Sequence, residues 1–141
     1  MYSFFIIDTS INYNIFKNGK IMNNQIFRIK KDDTFPPLKI QIKEKDYLGS
    51  ETGINLSALT SVTFSMVGSC DENKIYNENA TIVCREDGVV QYDWSVGDTD
   101  TADTFYGEFK FYFSGYSKPT QFSVPSFNGI KIDVFDNLKN V

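Results

Sequence analysis

Histidine is missing from this sequence and cysteine is scarce. The 141 residues include no histidine and two cysteines, Cys70 and Cys84. Imidazole is the commonest general base near neutral pH and the commonest metal ligand, so neither a Ser-His-Asp nor a Cys-His arrangement can form within the chain. Two cysteines are too few for the disulfide framework of a small secreted domain. We expect them to be small buried residues, and a bond between neighbouring strands is the alternative.

Basic residues are outnumbered by acidic ones. The chain has 14 Lys and Arg against 18 Asp and Glu, which gives a formal net charge of −4. Binding to nucleic acid or to an anionic membrane relies on a surplus of basic side chains, so neither is an expected partner. No segment reaches the ~18 apolar residues of a membrane helix. The opening MYSFFIID lacks the basic flank of a signal peptide, and we expect a protein that is made and used without export.

Aromatic and β-branched residues are abundant, and they alternate with polar ones. There are thirteen Phe and eight Tyr, types that are enriched in strands. The run TFYGEFKFYF predicts a strand with two different faces. The inward face would carry Phe105, Gly107, Phe109, Phe111 and Phe113, and the outward face Tyr106, Glu108, Lys110 and Tyr112. Residues 68–79 are polar and are predicted to form a loop.

Similar alternation recurs along the chain between turn-rich segments. We count about seven to nine short strands at spacings of roughly ten residues, a pattern typical of an antiparallel sandwich or barrel. Length and pattern together predict one all-β domain.

The first twenty-two residues differ from the rest. Asn18 and Gly19 form a hairpin signal between two short apolar runs. The segment is either an upstream extension of a domain that begins near Met22 or an arm that pairs with another chain. We therefore divide the chain into residues 1–22, an extension or assembly arm, and residues 23–141, the sandwich domain. The apolar run Phe4, Phe5, Ile6 and Ile7 is the predicted partner-binding segment, unless it lies along an edge of its own sandwich.

The stretch QYDWSVGDTDTADTF, residues 91–105, raises the question of a metal site. Its aspartates Asp98, Asp100 and Asp103 could offer oxygen ligands to calcium, but their spacing departs from that of an EF-hand. The alternative is a corner between two strands, because Asp and Thr side chains bond nearby backbone groups and stabilise turns. We favour the corner, with Trp94 buried beneath it, and predict no metal ligands.

Two glutamates, Glu86 and Glu108, are candidates for a glycosidase pair. Acidic residues on the solvent face of a strand are ordinary, and no catalytic motif accompanies them. We predict a protein that is not an enzyme, with no catalytic residues and no cofactor.

Three blocks of sequence together resemble one family. They read DDTFPPLKIQIKEKD, INLSALTSVTFSMVG and NATIVCREDGVVQYDWSVGDTDTADTFYGEFKFYF. In this order they resemble the N-terminal domain of the baseplate upper protein of tailed bacteriophages, over about residues 27–135. The most specific part is GVVQYDWSVGDTDTADTF, which follows the family's Gly-Val-Val, Tyr-Asp-Trp and Gly-Asp-Thr-Asp-Thr runs.

The resemblance implies an immunoglobulin-like β-sandwich with a structural role in the virion. It implies assembly in the bacterial host cytoplasm, in many symmetric copies, with other virion proteins as partners. One departure concerns a family tyrosine that would suit a tyrosine corner, because this chain has Phe105 there and Tyr106 next to it. The chain also ends where larger members continue into a receptor-related part.

Two hypotheses for function follow. The first is a non-enzymatic structural component of the virion, acting as a capsid decoration, neck, or tail and baseplate protein. The alternative is a carbohydrate-binding module that aids host attachment, with a glycan as partner, based on Tyr106, Tyr112 and Tyr116.

Overall fold

The computed structural model describes residues 2–6, 14–17, 20–23, 26–45, 47–114, 120–124 and 129–136, with side chains for 26–43, 47–50, 52–114, 121–124 and 129–136. These residues form thirteen strands. The strands are β1 (Tyr2–Ile6), β2 (Asn14–Lys17), β3 (Lys20–Asn23), β4 (Ile26–Lys30), β5 (Leu38–Lys45), β6 (Glu51–Gly53), β7 (Leu59–Val67), β8 (Asn73–Asn79), β9 (Thr81–Cys84), β10 (Val89–Tyr92), β11 (Asp103–Phe113), β12 (Thr120–Val124) and β13 (Ile130–Phe135). Within the described residues, no helix has the length and apolar character needed to cross a membrane.

The strands form two large sheets and a separate hairpin. The first sheet has the order β1-β5-β10-β9, with β6 beside the end of β5. The second has the order β4-β13-β11-β7-β8, with β12 beside the second half of β11. The hairpin pairs β2 with β3, on either side of the predicted Asn18-Gly19 turn, which itself lies outside the described residues.

This strand order is that of an immunoglobulin-like sandwich, as predicted. In that fold strands A, B, E and D form one sheet, and strands G, F and C form the other, extended by C′ in variable-type domains. Here β1, β5, β10 and β9 take the first set of positions, and β13, β11, β7 and β8 take the second. The predicted sandwich is therefore confirmed down to the order of its strands.

Two details of the prediction need correction. The pairing is not wholly antiparallel, because β4 runs parallel to β13 at the edge of the second sheet. The strands also outnumber the seven to nine expected. Three of them precede Ile26, and the polar segment read as a loop contains β8.

The core forms where the inward faces of the two sheets meet. Along β11 the predicted alternation holds for Phe105, Phe109 and Phe111, which are buried, while Phe113 at the strand end is half-buried. Phe64 of β7 sits at the centre, with its ring 4.6 Å from that of Tyr92 and 4.9 Å from that of Phe109. Each large apolar side chain that is fully buried contributes roughly 1.5–3 kcal/mol.

Gly107 interrupts the row of phenylalanines on β11 for a steric reason. A Cβ added at this position would lie 2.6 Å from the tip of the Phe64 ring. Real side-chain carbons do not approach so closely, so Gly107 leaves the space that Phe64 fills in a densely packed interior.

β1 lies along β5 of the same chain. The backbone of residues 2–6 pairs antiparallel with β5, in a register that runs from Tyr2 opposite Glu44 to Ile6 opposite Ile40. This is the arrangement along the edge of its own sandwich that we gave as one expectation. The side chains of Phe4, Phe5 and Ile6, and all of Ile7, lie outside what the structure describes. Their partner-binding role and the division of the chain at residue 22 stay predictions.

Both cysteines are free thiols. Cys84 of β9 is half-buried, but Cys70 is exposed, so the burial predicted for it is wrong. Cys70 lies in the turn that joins β7 to β8, where the chain leaves the core.

Trp94 provides a test of the packing at the end of the sandwich. Trp94 is 5% exposed, and the centroid of its ring lies 5.8 Å from that of Phe27 and 6.0 Å from that of Phe64. Its Nε1 donates a hydrogen bond to the Pro36 carbonyl oxygen. We expect Trp94→Ala to lower the free energy of unfolding by about 3–5 kcal/mol, as other large-to-small changes in a core do.

Urea denaturation measures this change, and Trp94→Phe is the matched control. The control keeps an aromatic ring and loses the hydrogen bond to Pro36, so its cost should be clearly smaller than that of Trp94→Ala. Equal unfolding free energies for wild type and Trp94→Ala would show that the contacts of Trp94 do not stabilise the fold.

Candidate functional site

The aspartate-rich stretch is a corner between two strands. Residues 93–102, which we call the corner, join the end of β10 to the start of β11, and so connect the first sheet to the second. Asp98 organises it: its Oδ2 accepts hydrogen bonds from the Tyr92 hydroxyl at 2.7 Å and from the Ser95 backbone N–H at 2.8 Å. The corner predicted from the sequence is confirmed, with Trp94 buried beneath it.

The corner is also tied to the loop between β4 and β5. Thr99 is buried, and its hydroxyl donates to the Asp33 carbonyl oxygen at 2.7 Å. The Thr99 carbonyl oxygen accepts a bond from the Asp32 N–H at 2.9 Å. Together with the bond from Trp94 to Pro36, these contacts join two loops that are far apart in sequence.

The tyrosine hydroxyl at this corner is that of Tyr92 on β10, and it donates to the Asp98 side chain rather than, as in a tyrosine corner, to the backbone. Phe105 is buried in the core and Tyr106 is exposed on the opposite face of β11. Burial raises the pKa of the Tyr92 hydroxyl above its ordinary value, and the hydrogen bond to Asp98 raises it further. The phenol therefore stays protonated and acts as a donor to the carboxylate.

The three aspartates considered as calcium ligands, Asp98, Asp100 and Asp103, have separate partners. Asp100 accepts a hydrogen bond from Lys74, which is the first cause of its lowered pKa. Asp103 accepts bonds from the Ser69 backbone N–H at 3.1 Å and from the Ser69 hydroxyl at 2.9 Å, and these bonds lower its pKa. Among the described residues, no group of three or more acidic or cysteine side chains has the arrangement of a metal site.

Glu86 and Glu108 are not brought together as a pair. Glu86 is exposed in the turn between β9 and β10 of the first sheet, whereas Glu108 lies on the outer face of β11 in the second. Because the two glutamates lie on different sheets, they are not brought together as the carboxylate pair of a glycosidase.

Within the part of the chain that the structure describes, a groove on the outer face of the second sheet is a candidate for ligand binding. Its volume is about 380 Å³, which falls within the range of small-molecule sites, about 300–1,000 Å³. We call it the tyrosine groove, and its lining residues are Ser65, Val67, Asn73, Tyr76, Tyr106, Gly107, Glu108, Lys110 and Gly129. Tyr76 is 64% exposed and Tyr106 is 43% exposed, so both rings are available to a partner.

The strand register explains why these side chains share one face. Tyr106 pairs with Val67, and Glu108 pairs with Ser65 on the neighbouring β7. Residues two apart on a strand point the same way, so Lys110 continues the row begun by Tyr106 and Glu108. Gly129 fits against Tyr106, where a Cβ would lie 3.0 Å from the tyrosine Cβ.

A β-bulge shapes the far side of the groove. The register between β7 and β8 shifts after Phe64, and Asn77 has a positive φ of 49°. The Asn77 backbone N–H donates to the Ser65 hydroxyl at 2.9 Å, which holds the bulge in place. Bulges redirect neighbouring side chains. Here Ile75 is buried in the core while Tyr76 faces the groove.

The sequence identified part of this site. Of the three tyrosines predicted to bind a glycan, Tyr106 lines the groove. Tyr112 is half-buried farther along β11, and Tyr116 lies outside the described residues. Tyr76 does not follow from the sequence, because the polar segment NKIYNEN is predicted to form a loop. The available signal was a single apolar residue, Ile75, followed by an aromatic one.

The bond between Tyr92 and Asp98 is testable by a double-mutant cycle. Asp98→Ala leaves the buried Tyr92 hydroxyl without its acceptor, so we expect a loss of roughly 1–3 kcal/mol in the free energy of unfolding. Tyr92→Phe removes the donor, and adding Asp98→Ala to it should cost less than Asp98→Ala alone. Urea titrations of the four proteins give the coupling free energy, and strictly additive effects would contradict the role of this bond.

Searches of family models, curated proteins and solved structures gave no match to this chain.

Proposed function

We propose that the protein is a non-enzymatic structural component of a tailed-bacteriophage virion, as a capsid decoration, neck, or tail and baseplate protein. The observation that carries the proposal is where the resemblance blocks lie in the fold. The block DDTFPP supplies Asp33 and Pro36, and the block GVVQYDWSVGDTDTADTF supplies Trp94 and Thr99. These two blocks are hydrogen-bonded to each other at one end of the sandwich.

This arrangement gives the resemblance a physical meaning. The residues that carry the resemblance are those that close one end of the sandwich in this chain. A fold alone does not determine a function. The virion role therefore comes from the family that the blocks resemble, and the structure supports it through the predicted sandwich.

In this role the chain would act by packing against other proteins of the particle. Its partners would be other virion proteins and further copies of itself, arranged by the symmetry of the particle in the bacterial host cytoplasm. The acidic balance of 14 basic to 18 acidic residues favours contact with protein rather than with the nucleic acid inside a head.

A second candidate function is a carbohydrate-binding module that helps a particle attach to its host. The observation that favours it is the pair of exposed aromatic rings, Tyr76 and Tyr106, on either side of the tyrosine groove. The two functions are compatible, because a structural component of the outer virion can also contact the host surface.

Mass spectrometry of purified particles tests the structural role. Phage particles from the host that carries this gene are purified on a density gradient and quantified peptide by peptide against labelled standards. We expect the protein at a fixed ratio to the major capsid or tail protein, because symmetric assembly fixes copy numbers. Particles that are complete and infectious but lack the protein would contradict the proposal.

A chain that begins at Met22 tests the assembly arm. We expect it to fold, because the two large sheets keep all their strands other than β1, with a lower melting temperature caused by loss of the backbone pairing between β1 and β5. We also expect it to be left out of particles, since an assembly arm supplies the contact with a neighbour. A matched variant, Tyr47→Ala at an exposed loop position, should be incorporated normally. Normal incorporation of the shortened chain would show that residues 1–21 are not needed for assembly.

A further inference from the structure

We propose that the tyrosine groove binds a neutral hexopyranose unit of a glycan, held between Tyr76 and Tyr106. The inference rests on the second function proposed above, carbohydrate attachment, and it names the site and the class of sugar. It does not depend on whether the protein is a virion component.

The first support is the exposure of two aromatic rings on regular strands. Tyr76 lies on β8 and Tyr106 on β11, and both are exposed rather than folded into the core. The face of an aromatic ring carries negative charge density, and it attracts groups with a positive edge. The C–H bonds on one face of a pyranose ring form such an edge, so a sugar can stack on a tyrosine while its hydroxyls stay accessible.

The two tyrosines lie diagonally across β7. Tyr106 pairs with Val67, whereas Tyr76 follows Ile75, which pairs with Met66, so Tyr76 lies close to Ser65. Two strand spacings and an offset of two residues along the strand place their backbones roughly 12 Å apart, and their side chains can flank one sugar ring. Val67 lies between them and gives the floor an apolar surface. Gly129 borders the same groove and adds no side chain to it.

The polar lining matches a neutral ligand rich in hydroxyl groups. Glu108 offers an acceptor, Lys110 offers a donor, and the Asn73 amide offers both. A hydroxyl group that is taken out of water needs such partners, because an unsatisfied buried polar group is costly. One carboxylate and one ammonium give a formal charge of zero in the groove, which disfavours an acidic sugar or a phosphate.

The backbone beside the groove is held by a local hydrogen bond. The Asn77 N–H donates to the Ser65 hydroxyl oxygen at 2.9 Å and fixes the bulge on β8 next to Tyr76. A binding surface whose backbone needs little ordering loses less conformational entropy on binding.

The experiment is isothermal titration calorimetry of the full chain with neutral trisaccharides of glucose, galactose, mannose and N-acetylglucosamine, and with a sialylated trisaccharide as the acidic comparison. We expect at least one neutral sugar to bind with a Kd of about 1 mM or tighter. Tyr76→Ala and Tyr106→Ala should each weaken that binding by about 10-fold or more. Tyr47→Ala removes a tyrosine that is 95% exposed in a loop away from the groove, and it should leave the affinity unchanged.

Glu108→Gln is the second kind of variant, because it leaves both rings in place. It should weaken binding of the same sugar, because the charged hydrogen-bond acceptor is lost. This variant keeps the proposal testable if a tyrosine variant fails to fold. Circular dichroism and melting temperatures identify any variant that is unfolded.

Several outcomes would overturn the inference. The inference is wrong if none of the four neutral sugars binds, or if the sialylated sugar binds more tightly than the neutral ones. It is also wrong if sugar binding is unchanged when both Tyr76 and Tyr106 are replaced by Ala. Self-association of the wild type that Tyr76→Ala abolishes, with no sugar binding, would assign the groove to a second copy of the chain. Incorporation of Tyr76→Ala into particles is measured separately, so failure of the sugar site is distinguishable from failure of the virion role.

Discussion

The closure of one end of the sandwich by Trp94 and Asp98 is the constraint on which the rest of the structure depends. The indole packs against Phe27 and Phe64 of the second sheet, although the chain reaches it from β10 of the first. Asp98 then turns the chain toward β11 by accepting bonds from Tyr92 and Ser95. This turn carries the chain from the first sheet to the second, beside the core in which the inward faces of both sheets are buried. The aspartates that suggested a metal therefore serve the fold.

How far the sequence predicts the fold depends on the range of the interactions involved. The two faces of β11 follow from alternation alone, and the structure buries Phe105, Phe109 and Phe111 as expected. The parallel pairing of β4 with β13 is different, because it joins two strands that are far apart in the sequence and depends on how the sandwich closes. The sequence does not predict β8, and the reason is local. Its bulge at Asn77 breaks the alternation, and its polar residues suit an edge strand as well as a loop.

The candidate site was predictable to a similar extent. Tyr106 could be placed on an outward face because its strand is regular. Tyr76 could not be placed, because its position depends on pairing with β7 through the bulge. The partners of Asp100 and Asp103 are Lys74 and Ser69, residues in or beside the turn between β7 and β8 that no local pattern connects to the corner. Local sequence thus gives the face of a side chain, whereas the register between strands decides which side chains meet.

The two faces of β11 also separate stability from binding. The inward residues Phe109 and Phe111 are fixed by packing, and even Gly107 is constrained because a side chain there would collide with Phe64. The outward residues Tyr106 and Glu108 alternate with them and contribute little to the interior. Changes on the outward face should therefore alter what the groove binds at little cost to the fold.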